Sequence, residues 1–175
     1  MQPEPTGRVH RTGPDSYHLT LDRTFPDPPS SVWSSFTDSS LAAPWFGRWE
    51  GSPHQGDSVS VQMLYEEGLP WSRFRISECS APELLRVLVE DEYGSWDLEI
   101  RLRDAPGGAG LEFIHHLDDP LAAESVGPGW EYYLDRLTAV RTGGTVPEFE
   151  EYYPGQGPYF LAQARAAADA DETGR

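Results

Sequence analysis

The sequence predicts an α+β fold: an antiparallel sheet whose apolar side is covered by one long C-terminal helix. Three observations predict it. From residue 57 to 117, apolar residues recur with a period of two through five short runs. The links between them, EEGLP, SAPE, YG and DAPGGAG, are turn-forming and too short for a parallel crossover. The segment GPGWEYYLDRLTAVRTGG then changes to helical spacing, with Trp130, Leu134 and Leu137 on one stripe, flanked by Tyr133 and Val140.

Taken in order, residues 1–14 are rich in Pro, Gly and Thr and are expected to be flexible. Tyr17, Leu19 and Leu21 alternate with His18, Thr20 and Asp22 as a first strand, which Pro26, Pro28 and Pro29 stop. Two short helices follow. SSVWSSFTD places Val32, Trp33 and Phe36 at helical spacing, and SSLAAPWF must end or bend near Pro44.

In the five later runs one face collects Val59, Val61, Met63 and Tyr65, then Phe74 and Ile76, then Leu85, Val87 and Val89. Trp96, Leu98, Ile100 and Leu102 continue it, and Leu111, Phe113, His115 and Leu117 complete it. A two-residue loop at Tyr93-Gly94 sets Glu92 opposite Ser95 and Val89 opposite Leu98. The same arithmetic puts Arg73 near Glu90, Arg101 near Glu112 and Asp97 near His116, complementary pairs that support the register.

For the covering helix, Pro128 fits a first turn and Gly143 lies just past the last. About fourteen residues at 1.5 Å each give a rod of roughly 21 Å, enough to cross several strands. The main domain is therefore residues 15–142. Residues 143–175 form an extension, partly helical and disordered at its end.

Charge narrows the function classes. Thirteen Arg, no Lys and 29 acidic residues give −16, a field that repels phosphate backbones and anionic lipid surfaces. Nucleic acid and membrane are not expected partners. No apolar run reaches the roughly 18 residues of a membrane span, and the N-terminal residues carry no secretion-type apolar stretch, so the expected location is cytoplasmic. The single cysteine, Cys79, reads as a small half-buried filler and excludes an internal disulfide.

The stretch LEFIHHLDD, Leu111 to Asp119, sets two histidines side by side. Neighbours on a strand point to opposite faces, so His115 faces the covered side and His116 the solvent. They do not share a metal, and His10, His18 and His54 offer no helpful spacing toward them; no metal and no cofactor are expected. Among Phe113, Leu98 and Leu117, His115 is either a core histidine with satisfied nitrogens or a polar anchor in an apolar cavity. No nucleophile elbow, phosphate loop or dinucleotide fingerprint is present, and no catalytic residue is assigned. Of the carboxylates, only Glu78 and Asp91 have the inward parity. The aromatic residues Trp33, Trp45, Phe46, Trp96 and Trp130 are placed to converge under the helix.

This chain resembles the helix-grip fold of the START-like superfamily, of which the birch-pollen allergen is one branch. Within it, the chain is similar to bacterial proteins related to the C-terminal domain of the activator of the heat-shock-protein-90 ATPase. The residues carrying the resemblance are VWSSFTDSSLAAPWFG, GDSV at Gly56 to Val59, LEFIHHLDD, and GWEYYLDRL at Gly129 to Leu137. The resemblance implies a curved antiparallel sheet wrapped around the long C-terminal helix, two short helices after the first strand, and an apolar cavity between sheet and helix. Superfamily members bind lipids, hormones, polyketides or other hydrophobic molecules, and some are cyclases or aromatases.

The expected function is accordingly non-enzymatic binding of a hydrophobic small molecule. The expected lining is Trp33, Trp45, Phe46, Met63, Phe74 and Leu98, with Phe113, His115, Trp130, Tyr133 and Leu134. Two alternatives stay open. One is a polyketide cyclase or dehydratase-like enzyme with His115 as acid or base. The other is a co-chaperone-like interaction protein, or a homodimer, contacting its partner through the C-terminal extension.

Overall fold

The computed structural model describes residues 2–91 and 94–170. Its strands are β1 (Arg8–Gly13), β2 (Ser16–Phe25), β3 (Gly47–Glu50), β4 (Ser58–Met63), β5 (Trp71–Ser80), β6 (Leu84–Asp91), β7 (Gly94–Ala105) and β8 (Gly108–Leu117). The helices are α1 (Pro29–Thr37), α2 (Ser39–Ala42), α3 (Ala123–Thr142) and α4 (Gly157–Asp169). The strands form one unclosed antiparallel sheet in the order β1-β2-β8-β7-β6-β5-β4-β3. This is the expected α+β, helix-grip arrangement of elements. Two compact units are present: Arg23–Phe113, and Met1–Asp22 with Ile114–Arg175.

In the unit Arg23–Phe113, Pro29 opens α1 and buries Val32 and Trp33. Asp38 then caps α2: its carboxylate accepts from the Ser40 N–H at 2.9 Å and from the Ser40 hydroxyl at 2.7 Å. Those two bonds hold the Asp38 carboxyl below its ordinary value, and α2 ends before Pro44 as expected. The strands β4 and β5 bury Val59, Val61 and Ile76 as one cluster, with Met63, Phe74 and Cys79, and Leu85 and Val87 of β6, packed on it. Cys79 is the expected filler.

Register departs from expectation in two places. The β6–β7 ladder pairs Asp91 with Gly94 and Val89 with Trp96, so Val89 does not face Leu98. The expected loop residue Tyr93, and Glu92 with it, lie outside the described residues. A shift of two leaves every side chain on its own face, which is why the apolar face survives the error. In β5 a bulge between Ile76 and Glu78 sets Glu78 opposite Arg86 and Cys79 opposite Leu85. One extra residue inverts the alternation beyond it, so Glu78 is exposed and not inward. Arg73 does stand opposite Glu90. Arg86 meets Asp97 through two bonds of 2.8 and 2.7 Å, chiefly a side-chain hydrogen bond that raises the guanidinium's pKa.

In the other unit, the expected flexible stretch 1–14 contains a formed strand: β1 pairs with β2 through Val9↔Leu19 and His10↔His18. It is ordered from two sides. Val9 is buried, and the Thr6 N–H and Gly7 N–H both donate to the carboxylate of Glu131 on α3. The helix α3 has 20 residues, longer than expected, and Pro128 lies inside it rather than in the first turn. Gly143 ends it in the left-handed conformation, φ 73°. The extension is integral to this unit. Tyr152 donates to Asp135 at 2.8 Å, and Tyr159 donates to the Gly7 carbonyl at 2.8 Å. On α4, the Phe160 ring occupies the space a side chain at Gly127 would need. The expectation of a disordered end falls on residues 171–175, outside the described residues.

Candidate functional site

The inward-facing residues of the unit Arg23–Phe113 form an aromatic run. Trp45, just after α2, lies 5.1 Å from Phe36 and 5.3 Å from Phe46, ring centre to ring centre. Phe46 in turn lies 6.1 Å from Phe74 on β5. The indole of Trp45 donates to the Ser35 carbonyl at 2.9 Å, which fixes this ring against α1. Trp33, Trp45, Leu98 and Phe113 are buried, while Phe46, Met63 and Phe74 are half-buried. Trp96 is the most exposed of the expected aromatic residues. It stands opposite Val89 near the β6–β7 turn and is 37% exposed.

In the unit Met1–Asp22 with Ile114–Arg175, His115 on β8 is buried at 3% exposure and meets α3. The indole N–H of Trp130 donates to His115 Nδ1 at 3.1 Å. An indole nitrogen only donates, so Nδ1 must carry a lone pair; the imidazole is neutral, with its proton on Nε2. The Trp130 ring lies 6.0 Å from Tyr133, and Leu134 is fully buried one position further along α3. The sequence expectation for His115 thus holds in direction and burial, and its Nδ1 is satisfied as a core histidine's would be.

His116 turns to the other face, where it touches His18 edge-on with ring centres 4.4 Å apart. His18 is itself the cross-strand partner of His10, so three histidines line up across β1, β2 and β8. That row went unread in the sequence because β1 was not expected. Among the described residues, no group of three or more His, Cys, Asp or Glu is arranged to hold a metal ion, and no helix is long and apolar enough to cross a membrane.

Glu131 was also missed. It is 1% exposed and accepts the backbone N–H groups of Thr6 and Gly7, the latter at 2.7 Å, with the Thr6 hydroxyl at 3.0 Å. Its only sequence signal is a carboxylate between Trp130 and Tyr132 in the most apolar part of the helix. Its oxygens hold the N-terminal segment in place, a structural use of the charge.

Chemically, the unit Arg23–Phe113 offers aromatic and aliphatic contact, and the other unit a buried imidazole beside Trp130 and Tyr133. With Glu78 turned outward, one of the two carboxylates that an inward acid–base pair could have used is removed.

Comparison with known proteins agrees with the fold. The family model described as Activator of Hsp90 ATPase homolog 1-like protein matches residues 27–141. The crystal structure of CalU16 from Micromonospora echinospora superposes with a TM-score of 0.73 at 24% identity, covering 92% of this chain and 97% of that one. The BPP1335 protein of Bordetella parapertussis gives 0.64 at 21% identity over 99% and 95%. DynU16, described as a putative protein in the dynemicin biosynthetic locus, gives 0.62 at 17% identity over 81% of this chain and 51% of that one. No curated protein matches the sequence.

Proposed function

The chain belongs to the Activator of Hsp90 ATPase homolog 1-like protein family, and from that premise we propose that it binds a hydrophobic small molecule through apolar and aromatic contacts, with His115, beside Trp130 and Tyr133, as the polar contact. The observation that carries the reading is a buried, neutral imidazole held in one tautomer by Trp130. Ligand sites are mostly apolar with a few fixed polar groups, and a ring that is already oriented loses little entropy on contact with a ligand.

Fluorescence titration with N-phenyl-1-naphthylamine, an uncharged lipophilic probe, tests the reading. A saturable one-to-one rise is expected, with affinity at least fivefold weaker in a folded His115→Ala protein. An unchanged affinity in that variant removes His115 from the site. Absence of any saturable rise in the wild type overturns the binding function.

A further inference from the structure

The outward side of β4, β5 and β6 carries a second feature, which shares no residue with the aromatic run. Ser58, Arg75 and Leu88 stand in one cross-strand row, and Arg73 stands opposite Glu90 in the next. Together with Gly56 they line a recess of about 400 Å³. Arg73 and Arg75 are two apart on one strand, so they share this face at a separation of about 7 Å.

Two arginines lining one recess without an ion-pair partner among the described residues are the informative point. With 29 acidic residues against 13 arginines, a guanidinium in this chain has carboxylates to choose from. Arg48 takes Glu50, Arg86 takes Asp97 and Arg101 takes Glu99. Neither Arg73 nor Arg75 has an ion-pair or hydrogen-bond partner among the described residues, although Glu90 is opposite Arg73 in register. Two guanidiniums side by side in a recess repel each other, and a shared anion removes that repulsion while accepting from both planar forks.

We propose that this recess binds a small molecule through a phosphate or carboxylate group gripped by Arg73 and Arg75. The Ser58 hydroxyl, opposite Arg75, adds a third donor. The Gly56 N–H does not contribute, since it already donates to the Ile76 carbonyl at 2.8 Å. Leu88 offers an apolar floor for the ligand's carbon skeleton. Glu90 repels a second anionic group and accepts from a hydroxyl or ammonium. The preferred ligand therefore carries one oxyanion with a hydrogen-bond donor beside it, rather than a polyanion.

An amide NMR titration at low ionic strength tests this, with inorganic phosphate in one arm and malate in the other. Saturable shifts are expected at Ser58, Arg73, Arg75 and Leu88. The dissociation constant should rise at least tenfold in R73Q/R75Q and stay within twofold in R8Q/R165Q, which removes the same charge elsewhere. Response to phosphate alone assigns a phosphate ester, and response to malate alone assigns a carboxylate; either supports the site. No saturable shift with either anion, or equal weakening in both double variants, overturns it. Because the probe anions are not hydrophobic, this outcome is independent of the binding function proposed above.

Discussion

Trp130 donates its indole N–H to Nδ1 of His115 across 3.1 Å, joining α3 to β8 at a place where both residues are buried. Replacing the indole with a ring that has no donor leaves the His115 acceptor unsatisfied, at a cost of about 1–3 kcal/mol. Trp130→Phe is accordingly expected to lower the unfolding free energy by that amount, moving the urea midpoint down without changing the denaturant slope. An unchanged midpoint would mean that the bond contributes nothing net.

Glu131 brings the N-terminal segment onto α3 through the N–H groups of Thr6 and Gly7. Both N–H groups point at one carboxylate oxygen, so Glu131→Gln can keep an acceptor there but removes the charge that strengthens both bonds. The expected loss is about 1.5–3 kcal/mol, the range for hydrogen bonds to a charged group. Amide exchange at Thr6 and Gly7 should rise further than global unfolding accounts for. Equal exchange in both proteins would show that other contacts hold the segment.

Gly127 matters for what it lacks. A methyl at this position collides with the Phe160 ring, with ring carbons Cδ1 and Cδ2 only 2.5 and 2.7 Å from the new atom. Overpacking of this kind costs about 1–3 kcal/mol. Gly127→Ala should therefore destabilise the chain, and adding Phe160→Ala should return part of the loss. Simple additivity of the two substitutions in thermal unfolding would contradict the contact.

Asp38 gives a pH dependence whose sign follows from its bonds. Ser40 lowers its pKa from 3.8, so the folded state prefers the charged form. That contribution is present above pH 3.8 and is lost as pH falls through the lower, folded-state value. The melting temperature of Asp38→Ala should lie below that of the wild type at neutral pH, and the gap should close in acid. A gap that persists at the lowest pH at which both proteins fold would assign the effect to something other than the cap.

Much of this architecture could be read from residue order alone. Alternation placed Leu98, Phe113 and His115 on one face, and the stripe of Trp130, Leu134 and Leu137 marked the helix that carries them. What escaped were features set by one residue or by distant partners. The bulge at Ser77 inverts the face of Glu78, and no alternating pattern announces a single extra residue. β1 looked frayed because its order depends on Glu131, more than a hundred positions away. Pro128 suggested a helix start because local preference puts proline in a first turn, yet tertiary packing extends the helix by five residues before it. At the candidate site the direction of His115 was legible; its hydrogen bond to Trp130 was not, since pairing between side chains on separate elements leaves no local trace. The recess of Arg73 and Arg75 escaped for a related reason: sequence alone suggested that Glu90 would neutralise Arg73.

Native mass spectrometry of the purified chain after exposure to an extract of cellular hydrophobic molecules is the decisive test of ligand binding. A one-to-one complex is expected, with an added mass that organic solvent releases and that is depleted in His115→Ala. A spectrum showing only the bare chain, across extracts that contain lipids and aromatic metabolites, would contradict it.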